Sequence, residues 1–310
     1  MGYFDLQVNG CFGVDFNADQ LDPASVKLAC QNLRSDGVDH ILATVITDDL
    51  EKMKQRLANI ASIRETDSLV AETIAGIHVE GPFISVEPGF VGAHPAQHVL
   101  PACVDSMQSM LDAADGLVKF VTLAPENDSN QKLTRFLAAQ GIVVSAGHTD
   151  ASLEQLLAGV DAGLSAFTHL GNACPKKLDR HDNIIQRALS ISDRIAIGLI
   201  ADGVHVPCHV LKNFLAIAGL DRAYVVTDAI SAAGNGSGTF QLGDQKVYVD
   251  ESLATWTADR EHLVGSAITM PAAVSNLRSK LGLSESQILQ LTSANSRKLI
   301  GFPTRGASNE

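Results

Sequence analysis

At 310 residues, 45% hydrophobic and 19% charged, the chain can bury a large core and has ordinary globular usage rather than that of a disordered segment. A net charge of −12 argues against nucleic acid or an acidic membrane surface as a partner. Cys11, Cys30, Cys103, Cys174 and Cys208 are odd in number, widely spaced and form no CxxC pair. This excludes a zinc ribbon and a disulfide framework and points to a reducing cytoplasm; no signal peptide is visible, and no apolar run approaches the ~20 residues of a membrane helix.

In chain order, strand and helix patterns alternate with little waste. Tyr3 to Val8 is a first strand, and Asp22-Pro23 opens a helix to Ser35, with Asp22 as N-cap. His40 to Ile46 is the second strand, followed by a helix from Asp48-Asp49 to about Glu65, and Thr73 to Glu80 is the third. A loop rich in Pro, Gly and His spans Gly81 to Pro101; a helix from Asp105 to Ala114 then leads to the fourth strand, Val118 to Leu123. A helix over 130–140 stops at Gly141, the fifth strand ends at Ser145-Ala146-Gly147-His148, and a helix over 152–162 stops at Gly163. The sixth strand, Leu164 to Phe167, ends in Thr168-His169. A short helix from Ile184 to Ser190, a seventh strand from Ile195 to Ile200, a helix over 207–218 and an eighth strand from Tyr224 to Thr227 follow.

Eight apolar strands joined by crossovers within ~230 residues have the proportions of a closed (β/α)8 TIM-type barrel. An open doubly wound sheet would call for a Gly-rich fingerprint after the first strand, and none is present. The remainder reads as a β-hairpin insertion at about 234–262 (Thr239 to Leu242 with Gln245 to Val249), a helix from Met270 to Leu281, and terminal helical cover from Ser284 to Ile300. The expected organisation is one barrel domain over 1–310.

In such a barrel the chemistry lies at the carboxyl ends of the strands. Those ends carry Gln7 and Asn9, Glu80, Glu126, His148, His169, Asp202 with His205, and Asp228. Glu80, His148 and His169 suit a divalent metal with an open fourth position, and Asp228 suits a nearby base. Gln7-Val8-Asn9 stands where a His-x-His pair would hold a second metal, and neutral amides are weak ligands, so one ion is expected. Asp228 accepts only when ionised, so it can take a proton from water and return it to a leaving amine, and His94 can donate to a developing oxyanion. The competing readings are a helix N-cap for Asp228 and a solvated loop residue for His94. His78 is either a partner that orients Glu80 or a satisfied core histidine; His40, His98, His209 and His262 read as structural or solvated. Lys176, Lys177 and Arg180 form a cationic cluster directly after the sixth strand, placed for an anionic group or simply solvated.

Asp5-Leu6-Gln7-Val8-Asn9-Gly10, His78-Val79-Glu80-Gly81-Pro82, Leu123-Ala124-Pro125-Glu126, Val144-Ser145-Ala146-Gly147-His148, Thr168-His169-Leu170, Asn172-Ala173, Asp202-Gly203-Val204-His205 and Val226-Thr227-Asp228-Ala229 occur in that order. Together they resemble the N-acetylglucosamine-6-phosphate deacetylase family of the amidohydrolase superfamily. The resemblance implies metal ligation by Glu80, His148 and His169, with Asp228 and His94 catalytic. It places Ala93, Asn172, Ala173, Arg180, His205, Leu263, Val264 and Gly265 on the substrate, with Asn172, Ala173 and Arg180 at a phosphate. The metal it implies is zinc first, with iron, manganese or cobalt as alternatives, and the assembly a homodimer. Three departures stand out. Segments flanking the barrel that form a β-sandwich in the family are not seen, so a barrel-only variant is expected. Gly171 replaces a common aromatic, and His181-Asp182-Asn183 replaces a Gly- and Pro-containing stretch after Arg180. The alternatives are hydrolysis of a different amide or of an unphosphorylated acetamido sugar, and a metal- or sugar-binding barrel without turnover.

Overall fold

The computed structural model describes residues 2–260 and 262–303. Its main sheet has eight parallel strands in sequence order: β1 (Tyr3–Val8), β2 (Val38–Ile46), β3 (Ile74–Glu80), β4 (Val118–Leu123), β5 (Val143–Ala146), β6 (Leu164–Phe167), β7 (Ala196–Ile200) and β8 (Ala223–Val226). A parallel bridge between Val8 and Ala229 joins the two edges, and Asn9 and Gly10 each donate their backbone N–H to the Ala229 carbonyl, at 2.7 and 3.0 Å. The fold is a (β/α)8 barrel.

Local sequence explains the crossovers. Asp22 accepts from the Ser25 N–H and Pro23 opens the helix Pro23–Ser35. Ser152 and Gln155 form a capping box on the helix Leu153–Ala162, which Gly163 ends at φ 114°. The outer faces of the strands pack on the helices in one large apolar cluster. The inside is layered. Phe4, Leu6, Leu42, Phe120, Tyr224 and Val226 plug its amino-terminal end. Above them lies a polar belt: His78 Nε2 bonds Thr122 Oγ1 at 2.8 Å, Thr122 bonds Thr168 at 2.8 Å, and Ser145 bonds Thr168 at 2.7 Å. Glu80, two residues beyond His78, therefore stands at the carboxyl rim.

The segment after β8 folds into a three-stranded antiparallel sheet, β9 (Gly238–Leu242), β10 (Gln245–Val249) and β11 (Thr255–Trp256). Leu242, Val247 and Val249 pack with Ile46, Ile230, Val264 and Ala267 in a cluster of their own, which clamps the hairpin over the rim. Gln245 Nε2 also donates to the Ala93 carbonyl at 2.7 Å, tying the hairpin to the loop that carries His94.

Several local expectations are corrected. Asp67 caps a short helix, Ser68–Thr73, so β3 begins at Ile74 rather than Thr73. Gly10–Cys11 and Val14–Asp15 form a small ladder turned at Phe12 (φ 50°) and Gly13 (φ 87°), a turn whose first residue gives no sequence signal. The terminal cover breaks into Glu285–Leu289, a π-turn at Gln290–Ala294 and Asn295–Leu299. Two polar side chains of this turn make hydrogen bonds: Thr292 Oγ1 donates back to the Ile288 carbonyl at 2.8 Å, and Ser293 Oγ donates to the Gly2 carbonyl at 2.7 Å. Among the described residues no helix is long and apolar enough to cross a membrane.

Candidate active site

Glu80 is the last residue of β3, while His148 and His169 each lie two residues past the end of a strand. Both histidines adopt left-handed backbone, with φ 53° and 33°, and so does Asp228 at φ 52°. Such conformations cost non-glycine residues about 1–3 kcal/mol each and persist where surrounding structure enforces them, commonly at functional sites. His169 Nε2 lies 3.0 Å and His148 Nε2 3.3 Å from the same oxygen of Glu80, Oε1. All three ligand atoms fall within 4.8 Å of one another, and all three residues are buried. His148 Nδ1 is 3.0 Å from the Phe90 carbonyl and must donate to it, which leaves the Nε2 lone pair turned toward Glu80. Burial pushes Glu80 up, but the close approach of the His148 and His169 imidazoles outweighs it and holds the carboxyl well below its usual range. A buried carboxylate and two imidazoles converging on one point are the donor set of a catalytic divalent-metal site. Among the described residues this is the one such cluster.

Asp228 faces this cluster. Its Oδ1 accepts from Asn9 Nδ2 at 2.7 Å and from Gln7 Nε2 at 3.0 Å, and Gln7 Nε2 also lies 3.2 Å from both oxygens of Glu80. Pairing of β1 with β2 slips between Asp5 and Val8, which brings Gln7 inside the barrel. Both amides thus turn their NH2 groups to carboxylates. Burial and then the charge of Glu80 push Asp228 up to about 6, against the lowering influence of His169, His205 and Asn9.

Above the cluster opens a cavity of about 520 Å³. Its lining includes Glu80, His148, His169 and Asp228, with Ala93, His94, Asn172, Ala173, His205, Leu263, Val264 and Gly265. The sequence-derived set is brought together with one exception: Arg180 is exposed and outside the lining, whereas Lys176 of the same loop lines the cavity. His94 is pushed down to about 3, first by burial and then by the charge of His148, and its ring meets that of His148 edge-on at 4.3 Å. His205 Nδ1 bonds Asp202 Oδ2 at 2.6 Å, which fixes the ring. Burial pushes Asp202 up, but its bonds with His205 prevail and lower it.

Glu126 lies outside the lining: Thr149 Oγ1 and the Asp150 N–H both donate to it, so it braces the chain just after His148. His78 is a satisfied barrel histidine, bonded to Thr122 and 3.3 Å from Thr44 Oγ1, and burial pushes it down to about 4. Sequence reasoning passed over Trp256 and read His262 as structural or solvated, whereas both line the cavity. His262, next to Leu263, could have been found by adjacency, whereas Trp256 lies in a strand with no visible alternation.

No protein-family model matches the chain. Among curated proteins, the N-acetylglucosamine-6-phosphate deacetylase of Bos taurus is 36% identical over 318 residues, covering 98% of this chain and 75% of its own. The chain belongs to the N-acetylglucosamine-6-phosphate deacetylase family. The N-acetylgalactosamine-6-phosphate deacetylase of Shewanella sp. strain ANA-3 is almost as similar, at 34% over 307 residues, covering 98% of this chain and 75% of its own. The solved N-acetyl-D-glucosamine-6-phosphate deacetylase of Mycobacterium smegmatis, in complex with N-acetyl-D-glucosamine-6-phosphate, superposes with a TM-score of 0.88 at 27% identity, over 98% of this chain and 78% of its own. Membership of this deacetylase family and the buried Glu80–His148–His169 set both point to a divalent ion.

Proposed function

We propose that the protein hydrolyses the acetamide of an N-acetylamino-sugar 6-phosphate, N-acetylglucosamine 6-phosphate first, to the free amine and acetate. The observation that carries this reading is the placement of a base, Asp228, against the buried Glu80–His148–His169 set at the floor of a sugar-sized cavity, in a chain of this family.

Glu80, His148 and His169 would hold the ion, with zinc the first choice for two imidazoles and one carboxylate. Bound there, a divalent ion supplies Lewis acidity to the reaction. The chain's own groups account for the proton movements. Asp228, ionised and aimed by Asn9 and Gln7, takes the proton of the attacking water and returns it to the leaving nitrogen as the amide bond breaks. His94 stands on the cavity wall to donate to the acetyl oxygen as it gains negative charge. His205, braced by Asp202, and Leu263-Val264-Gly265 position the sugar ring. Asn172, Ala173 and the cations of their loop, Lys176 on the lining and the exposed Arg180, recognise the phosphate.

The test is acetate release from N-acetylglucosamine 6-phosphate, N-acetylgalactosamine 6-phosphate and their unphosphorylated forms by the zinc-loaded protein. Turnover of the phosphorylated sugars far above the others supports the reading, and the ratio between the two epimers settles the preference. No release from any of the four would refute it.

A further inference from the structure

His94 hangs on a single side-chain hydrogen bond whose direction decides what the ring can do. Its Nδ1 lies 2.8 Å from Thr47 Oγ1, just beyond β2, and the ring lines the cavity. A neutral imidazole carries one N–H, so whichever nitrogen lacks it can only accept. The buried Thr47 hydroxyl has one hydrogen and two acceptors in reach, His94 Nδ1 at 2.8 Å and the Glu80 carbonyl at 3.3 Å. If the hydrogen goes to Glu80, Nδ1 must hold the ring proton and Nε2 meets the substrate as a bare lone pair. If it goes to Nδ1, the ring proton sits on Nε2 and His94 meets the substrate as a donor. The 2.8 Å separation lies in the normal hydrogen-bond range and 3.3 Å lies outside it for a hydroxyl donor.

We propose that Thr47 is a positioning residue that sets the tautomer of His94: its hydroxyl donates to Nδ1 and confines the ring proton to Nε2, turned toward the acetyl oxygen. This assignment rests on the deacetylase reading for its use, but the tautomer itself does not. A second feature shows that the hydroxyl has a built place. Gly81, directly after Glu80, has φ +81°, and a Cβ there would lie 2.1 Å from Thr47 Oγ1. Only glycine leaves room for the hydroxyl at this point, so the loop that turns away from Glu80 is shaped around Thr47. Thr47 is not among the residues that line the cavity and acts through His94.

The experiment uses the full zinc-loaded chain with Thr47→Val, which keeps the shape and removes the hydroxyl, and Thr47→Ser, which restores it. Histidine side-chain ¹⁵N spectra, with the His94 signals assigned by their loss in His94→Gln, should show the proton on Nε2 in the wild type and in Thr47→Ser. In Thr47→Val they should show both tautomers. Loss of an oxyanion donor costs on the order of 10²–10³ in kcat, and a ring free to take either tautomer should forfeit part of this. Thr47→Val is therefore expected to lose about 10-fold or more in kcat with KM and zinc content near wild type, and Thr47→Ser to recover most of it. Should Thr47→Val fold poorly, Thr47→Ala gives the same reading. A wild-type ring protonated on Nδ1, or wild-type kcat in Thr47→Val, overturns the proposal. If the protein releases no acetate, an Nε2 proton that depends on Thr47 still supports the tautomer assignment, and only the deacetylase reading falls.

Discussion

Replacing Asp228 by asparagine separates base chemistry from structure, because the environment of the carboxylate is known atom by atom. Its Oδ1 accepts from Asn9 at 2.7 Å and Gln7 at 3.0 Å. An asparagine amide oxygen can take both bonds, leaving its NH2 toward the cavity. The substitution also removes a buried negative charge beside Glu80, the second cause that pushes Asp228 upward after burial itself. The cost in fold stability is therefore small, within about 1 kcal/mol, the net worth of one ordinary hydrogen bond. Metal content should be unchanged, since Asp228 is not one of the three clustered ligands. Turnover, in contrast, loses the group that accepts the water proton. General-base removal typically costs ~10²–10⁴ in rate, or about 2.7–5.5 kcal/mol of barrier. The assay is acetate release at saturating substrate, with elemental analysis and thermal melting on the same samples. Near-normal kcat with intact metal and Tm would refute the role of Asp228 and leave it a rim residue held by two amides.

Chelation should abolish turnover, and elemental analysis should find about one firmly held ion per chain, because Gln7 and Asn9 both present N–H groups to carboxylates; two stoichiometric ions would contradict this. Arg180→Ala and Lys176→Ala, measured on phosphorylated and unphosphorylated sugars, should weaken the former selectively. A charged hydrogen bond of about 1.5–3 kcal/mol corresponds to ~10- to 150-fold in kcat/KM, and equal losses on both substrates would make the loop cations structural. Asp5 is buried, and desolvation outweighs the bonds it accepts from Thr227 and the Gln7 N–H, raising it to about 7. The folded form then binds the proton more tightly than the unfolded chain, whose aspartates titrate near ~3.9. This contribution is full below about pH 4 and is lost as pH rises through about 7. The Tm advantage of the wild type over Asp5→Asn should shrink between pH 5 and 8, and a constant difference would show that Asp5 is ionised throughout.

By itself the sequence determined the barrel, because β/α alternation with apolar strands and capped helices is a local property, visible in Asp22-Pro23, Ser152 with Gln155, and Gly163. It also determined which rim residues could meet, since strand ends in a parallel barrel all face one way; Glu80, His148, His169 and Asp228 were legible for that reason. What only the tertiary structure decided depends on contacts between distant segments. The slip in β1 that turns Gln7 toward Glu80 follows from pairing with β2, not from the order of residues in β1. The choice of Lys176 over Arg180 for the lining depends on how a long loop lies across the rim, and Trp256 reaches the cavity only because the hairpin packs on Ile46 and Ile230. Thr47 carried no sequence signal at all. Its hydroxyl gains meaning from His94, 47 positions along the chain, and from a glycine in a third segment that leaves it room. Local patterns specify elements and the direction of their ends, whereas hydrogen-bond direction and cavity walls arise only where separate segments converge.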